Sequence, residues 1–206
     1  MDFHYPKNGA AMTNVKSQSL EDFSKEQGKI LLKVARNRIA EHLGQINKKT
    51  DVLHDDIFES SRGTFVTLKI NKQLRGCIGN LESSGTVVDG VERNAINAAF
   101  NDHRFLPLSV EEFRETEIEI SILTKPVALV HTTTEELLTK LRPGIDGVII
   151  KKGSSGSTFL PQVWEQLPEP VIFLEHLCQK AGLAKNAWKD GELDVLIYQV
   201  QYFTEG

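Results

Sequence analysis

The residue types able to do chemistry concentrate in one run, Gln73-Leu74-Arg75-Gly76-Cys77-Ile78-Gly79-Asn80-Leu81. A guanidinium, a thiol and two glycines fall within five residues there. The run otherwise reads as a strand, so Arg75 and Cys77 share a face, roughly 7 Å apart at about 3.3 Å per residue. A cation at that range favours thiolate over thiol. Gly76 leaves the opposite face open to close approach by a backbone or a ligand, and Gly79 supplies positive φ where the strand turns. One reading is a presented, partly activated thiol beside an anion-binding group. The other is a buried cysteine acting as a small hydrophobe. With residues 64–70 as hairpin partner and Asn71-Lys72 as the turn, Val66 would stand opposite Cys77 and Leu68 opposite Arg75, an apolar setting that suits the second reading.

A thiol nucleophile needs a base within reach. His103, in Asp102-His103-Arg104-Phe105-Leu106-Pro107, is the nearest candidate by motif. Arg104 with Arg75 could grip a carboxylate or phosphate. Asp102 and Arg104 could equally be an ion pair that fixes a loop. Glu119 shares a strand face with Ser121, opposite Ile118, Ile120 and Ile122, which makes it an acid/base candidate. Asn94, Asn97 and Asn101 form an amide stripe at helical spacing, either lining a polar cleft or facing water; asparagine is a poor helix former. Thr158 precedes a Leu-Pro corner. His54-Asp55-Asp56 reads as a solvated acidic loop rather than a metal site. Cys178, near Leu174, Leu177 and Ala181, reads as core. Zinc-type Cys/His spacing and glycine-rich phosphate loops are missing from the sequence, so neither metal nor cofactor is expected.

The elements that must position these residues follow from pattern. Residues 1–20 lack periodicity and read as a mobile tail. Ser24 with Gln27 signals a capping box, and Leu31, Val34, Ala35, Ile39 and Leu43 give a helix stopped by Gly44. A loop at 48–61 precedes the hairpin 64–70/73–78, a helix over 86–101, a turn at 109–113 and a strand at 117–123. Pro126 ends that strand. A second hairpin, 147–151/157–160, turns at Gly153-Ser154-Ser155-Gly156. A helix over 170–181 and a strand over 193–203 complete the chain. Both halves run hairpin, helix, strand, which weakly suggests duplication. The expected organisation is a single domain over 21–206 with two packed lobes, about 21–130 and 131–206.

Composition narrows the class. The chain has 206 residues, 40% hydrophobic and 25% charged, with a net charge of −4. These are soluble globular values, and the acidic balance argues against nucleic-acid binding. No apolar run approaches the ~20 residues of a membrane span. No secretory h-region is present, and two cysteines make no disulfide framework. Reduced thiols and a cytoplasmic location are expected.

Leu74-Arg75-Gly76-Cys77-Ile78-Gly79 resembles the signature of the AMMECR domain family, called AmmeMemoRadiSam system protein A in prokaryotes. Asp102-His103-Arg104-Phe105-Leu106-Pro107 is similar to its Asp-x-Arg-Phe-x-Pro motif. Ile118-Glu119-Ile120-Ser121-Ile122-Leu123 and Thr158-Phe159-Leu160-Pro161-Gln162-Val163-Trp164 resemble two further blocks, so the likeness spans about residues 25–203. The family leaves position 103 variable, which counts against His103 as an obligatory base. Its usual Asn-Gly turn is Asn71-Lys72 here, which asks Lys72 for a left-handed conformation. The resemblance implies an α+β fold of two similar lobes with curved, mostly antiparallel sheets. It also implies work alongside a Memo-like protein and a radical SAM protein on a small-molecule or peptide substrate. Catalytic candidates are Cys77, Arg75, Asp102 and Glu119; ligand-binding candidates are Gly76, Gly79, Arg104, Asn94 and Thr158. A non-catalytic interaction or ligand-binding module is the alternative.

Overall fold

Strict alternation along β1 (Thr64–Ile70) buries Thr64, Val66 and Leu68 and leaves Phe65, Thr67 and Lys69 half-buried. A strand with one dry and one wetter face needs a cover on one side only. The structure, a computed structural model, describes residues 22–46, 55–83 and 85–205. The tail expected over 1–20 lies outside the described residues, as does His54. Asp55 accepts hydrogen bonds from Gln27 Nε2 (2.6 Å) and the Ile57 N–H (3.2 Å), so it fixes a turn.

β1 is central in an antiparallel sheet of order β2-β1-β3-β8, with β2 at Gln73–Asn80, β3 at Thr116–Leu123 and β8 at Val200–Thr204. Its dry face carries Val66, Leu68, Ile118, Ile120 and Ile122. Two helices cover it, α1 (Lys25–His42) and α2 (Val87–Phe100). Each begins in a capping box, Ser24/Gln27 and Thr86/Asp89, which satisfies N–H groups that the first turn leaves unpaired. A short helix, α3 (Val110–Glu115), leads into β3 behind a third capping box, Ser109/Glu112.

The second sheet has the order β4-β7-β5-β6, with β4 at Val127–Ala128, β5 at Gly147–Lys152, β6 at Ser155–Phe159 and β7 at Asp194–Tyr198. Its core packs Val148, Ile150 and Val195 against α4 (Thr134–Lys140) and α5 (Pro170–Lys180), with Trp164 stacked on Phe173 at 3.7 Å. The hairpin turn is Gly153-Ser154, since Lys152 already pairs with Ser155. That is two residues shorter than the four-residue turn expected. The elements make an α+β fold.

In each sheet the order is second hairpin strand, first hairpin strand, third strand, then a fourth. The correspondence is topological, and duplication stays an expectation. The fourth strands are exchanged: β4 follows β3 in sequence but joins the second sheet, and β8 follows β7 but returns to the first. A boundary at 130/131 therefore does not separate the sheets. The single strand expected over 193–203 is two strands broken at Gln199. There the two crossovers meet: the Thr124 N–H donates to the Gln199 carbonyl (2.9 Å), and the Gln199 N–H to Thr124 Oγ1 (2.8 Å).

Candidate functional site

The β1–β2 hairpin turns through Asn71 and Lys72, at φ 51° and 64°. Pairing starts as Ile70 with Gln73 and Lys69 with Leu74, then slips: Leu68 faces Gly76 and Thr67 faces Cys77. Arg75 is the extra residue of a bulge. This corrects the register expected from the turn, which set Val66 against Cys77 and Leu68 against Arg75. One residue of slip moves a side chain to the other face of the sheet. Cys77 thus shares the wetter face with Thr67 and, one strand on, Glu119. Its half-buried thiol receives a hydrogen bond from Thr67 Oγ1 at 3.2 Å. Glu119 is bridged by Lys69 (2.9 Å). Tyr202, 40% exposed, stands opposite Ser121 on this face. Burial first, and then the negative charge of Glu119, pushes its phenol up to about 12.

The bulge also redirects Arg75. Its guanidinium grips Glu112 of α3 through both oxygens at 2.9 Å, donates to the Leu106 carbonyl (2.8 Å) and stands 5.6 Å from the Phe105 ring centre. The Arg75 side chain holds the Glu112 carboxyl below the usual range. Arg104 rests against the same ring at 5.5 Å and pairs with Asp102. Each guanidinium is already matched by a carboxylate, so the two do not form an open anion clamp.

Asp102 and Arg104 instead close the free edge of β2. The Cys77 N–H donates to Asp102 Oδ2 (2.9 Å), and Arg104 Nη2 donates to the Cys77 carbonyl (3.2 Å). Arg104 adds Nε and Nη2 bonds to Asp102 at 2.9 and 2.7 Å. The Arg104 guanidinium first, then the Cys77 and Arg104 N–H groups, hold the Asp102 carboxyl far below the usual range. An edge strand exposes unpaired backbone groups; here two side chains replace the missing strand at one residue, Cys77. His103, between them, is exposed.

Both glycines of the motif answer to packing. A Cβ on Gly76 would lie 2.1 Å from the Ala98 carbonyl oxygen, so the backbone approaching it belongs to α2. A Cβ on Gly79 would lie 2.2 Å from the Phe65 ring, and Gly79 has no positive φ, contrary to expectation. Asn94 does not line a cleft: it is fully buried, with Nδ2 donating to the Thr64 carbonyl (2.9 Å) and to Thr64 Oγ1 (3.0 Å). Asn101 donates to Asn97 Oδ1 (2.9 Å). Thr158 lies in the other lobe, its hydroxyl between the Val148 carbonyl (2.9 Å) and Tyr198 OH (3.0 Å). Cys178 is fully buried, and burial pushes its thiol up.

The structure therefore groups Cys77, Asp102 and Arg104 tightly, places Glu119 on the same face through Thr67, and leaves Asn94 and Thr158 apart. Thr67, Lys69, Tyr202, Phe105 and Glu112 escaped the sequence reading. Thr67 and Lys69 carry a signal in the polar positions of β1. Glu112 carries only a capping signal, which it also fulfils by accepting from the Ser109 N–H (3.0 Å).

A two-sheet α+β protein with exchanged edge strands and a side-chain staple over one cysteine is the class defined by this geometry. The AMMECR1 family profile matches residues 32–203, and the chain belongs to that family. A Methanothermobacter thermautotrophicus protein is 38% identical over 184 residues, covering 88% of this chain and 96% of its own. Protein MK0488 of Methanopyrus kandleri is 34% identical, covering 90% and 91%. The crystal structure of the uncharacterized protein PH0010 from Pyrococcus horikoshii superposes with a TM-score of 0.76 at 32% identity, covering 87% and 92%. Among the described residues no helix is long and apolar enough to cross a membrane.

Proposed function

We propose that this protein serves a modification system alongside a Memo-like protein and a radical SAM protein, presenting the Cys77 face of its first sheet to a small-molecule or peptide substrate. The observation that carries this reading is the pinning of Cys77. Its N–H and carbonyl are both held by side chains, and its thiol sits on the wetter face beside Thr67. A fixed backbone lets a thiol be presented with little loss of backbone freedom on reaction. Thr67, Glu119 with Lys69, and Tyr202 supply the polar surroundings. Arg75, Arg104 and Asp102 act on this reading as positioning residues, because their charges are spent on one another and on Glu112.

The test is alkylation of the native protein with iodoacetamide, followed by mass spectrometry. Cys77 is expected to react at least tenfold faster than Cys178, whose thiol is buried and harder to ionise. Cys77→Ser should remove the fast phase and keep the fold. A Cys77 that reacts only after denaturant is added sinks the thiol reading. Purification of the complete chain from its native cells should bring down the Memo-like and radical SAM proteins. A second reading, a non-catalytic interaction module, is favoured by the exposed leucines that flank Arg75, Leu106 at 83% and Leu74 at 44%. Leu106→Asp combined with Leu74→Asp would then abolish the co-purification while Cys77→Ser leaves it intact.

A further inference from the structure

We propose a binding site for an amphipathic carboxylate, an apolar body carrying one negative charge, in the cleft where β5 and β6 meet Leu81 of the first lobe. The cavity measures about 370 Å³, within the ~300–1,000 Å³ of small-molecule sites. Its apolar walls are Leu81 and Ile149, the Ile150 side chain being turned into the core, and both charged residues in its lining, Lys151 and Lys180, are lysines.

The two lysines are not equivalent. Lys151 has acidic neighbours, with Glu82 at 3.9 Å and Asp194 directly across the β5–β7 pair. Lys180 Nζ donates to the Thr158 carbonyl (2.9 Å) and stands 5.0 Å from the Phe159 ring centre. Both of those partners are neutral, so among the described residues no carboxylate cancels the Lys180 charge. An ammonium held at the rim of an apolar cleft by a carbonyl and a ring is an anchor for an anion. The backbone adds donors. Because the Thr158 carbonyl is taken by Lys180 and not by β5, Thr158 and Gly156 turn their peptide groups toward the open edge of the sheet. Their N–H groups are therefore available to a carboxylate lying along the cleft.

The same geometry selects a compact ligand over an added peptide strand. A strand pairing on β6 would need the Thr158 carbonyl that Lys180 already covers, which is how a sheet edge is blunted. The apolar walls exclude inorganic phosphate or another small hydrated anion, which would strip its water for no gain. This site is independent of the Cys77 reading.

The test uses the full chain, with 1-anilinonaphthalene-8-sulfonate as fluorescent probe, decanoate as competitor and 1-decanol as the uncharged control. The probe is expected to bind saturably, and decanoate to displace it about tenfold more strongly than decanol, as a charge-assisted contact predicts. Lys180→Met should erase that preference with an unchanged thermal midpoint, Lys151→Met should reduce it less, and Cys77→Ser should leave it alone. Lys180→Gln serves if the methionine variant folds poorly. Decanoate should shift the amide resonances of Leu81 and of residues 149–151 and 156–158. Equal displacement by decanoate and decanol, a preference that survives both Lys180 variants, or resonance shifts confined to other regions would each overturn the proposal.

Discussion

Asp102 offers the sharpest test of how the edge of β2 is held. Its carboxylate is 5% exposed and accepts from the Cys77 N–H and from three donors of Arg104. Asp102→Ala strands the Cys77 N–H at a partly buried edge, which costs about 1–3 kcal/mol. The lost pairing with Arg104, whose side chain is 55% exposed, adds only ~0.5–1 kcal/mol, because solvent screens it. The expected total of roughly 2–4 kcal/mol corresponds to a fall in Tm of about 4–15 °C for a chain of this size. Asp102→Asn keeps an acceptor for Cys77 and loses only the charge, so about 1 kcal/mol is expected. Thermal unfolding followed by circular dichroism gives both values, and hydrogen exchange at the Cys77 amide locates the effect. The pH dependence carries a definite sign. A carboxyl depressed by folding adds stability above its unfolded pKa of about 3.9 and loses that stability as pH falls below it. The gap between wild type and Asp102→Ala should therefore narrow below about pH 4. Alanine and asparagine variants of equal stability, or a gap indifferent to acid, would refute the staple.

Three further outcomes follow from the same geometry. Gly76→Ala places a Cβ 2.1 Å from the Ala98 carbonyl oxygen, a backbone atom that cannot step aside, and should cost ~3 kcal/mol or more by forcing α2 off the sheet; denaturant titration measures it. Lys72→Gly relieves a left-handed φ of 64° and should raise stability by roughly 0.5–1 kcal/mol, read as a higher urea midpoint at constant slope. The Tyr202 phenol, pushed up to about 12 by burial and by Glu119, contributes stability fully present below its unfolded pKa of about 10 and lost as pH rises toward the folded value. Tyr202→Phe should flatten that alkaline loss, seen as stability at pH 9 and pH 11 and as one fewer high-pH phenol in an ultraviolet titration.

Much of the first lobe was legible because its signals are local. The capping pair Ser24/Gln27, the hairpin strand 64–70, and the left-handed turn at Lys72 all act within a few residues. The likeness of four motifs to one family was legible for the same reason, and the family match bears it out. The roles assigned to side chains were harder to read. Arg75 looked like a partner for Cys77 because i and i+2 share a strand face, yet one bulge sends it to Glu112, which lies 37 positions on. Asn94 reads from its spacing as cleft lining or a hydrated face, and it is the buried clamp between α2 and β1.

What the chain determined alone is where α1, α2 and the hairpin strands β1 and β2 begin, since backbone sterics, capping and hydrophobic period are properties of neighbouring residues. Only the tertiary structure decided which strand lies beside which. The slip opposite Cys77, the two residues of β4 and the break at Gln199 have no strong local pattern. The last two go with the exchange of β4 and β8 between the sheets, and the backbone hydrogen bonds that reward this exchange join residues as far apart as Thr124 and Gln199. A backbone hydrogen bond carries no side-chain label, so a sequence states how many partners it needs but not where they are.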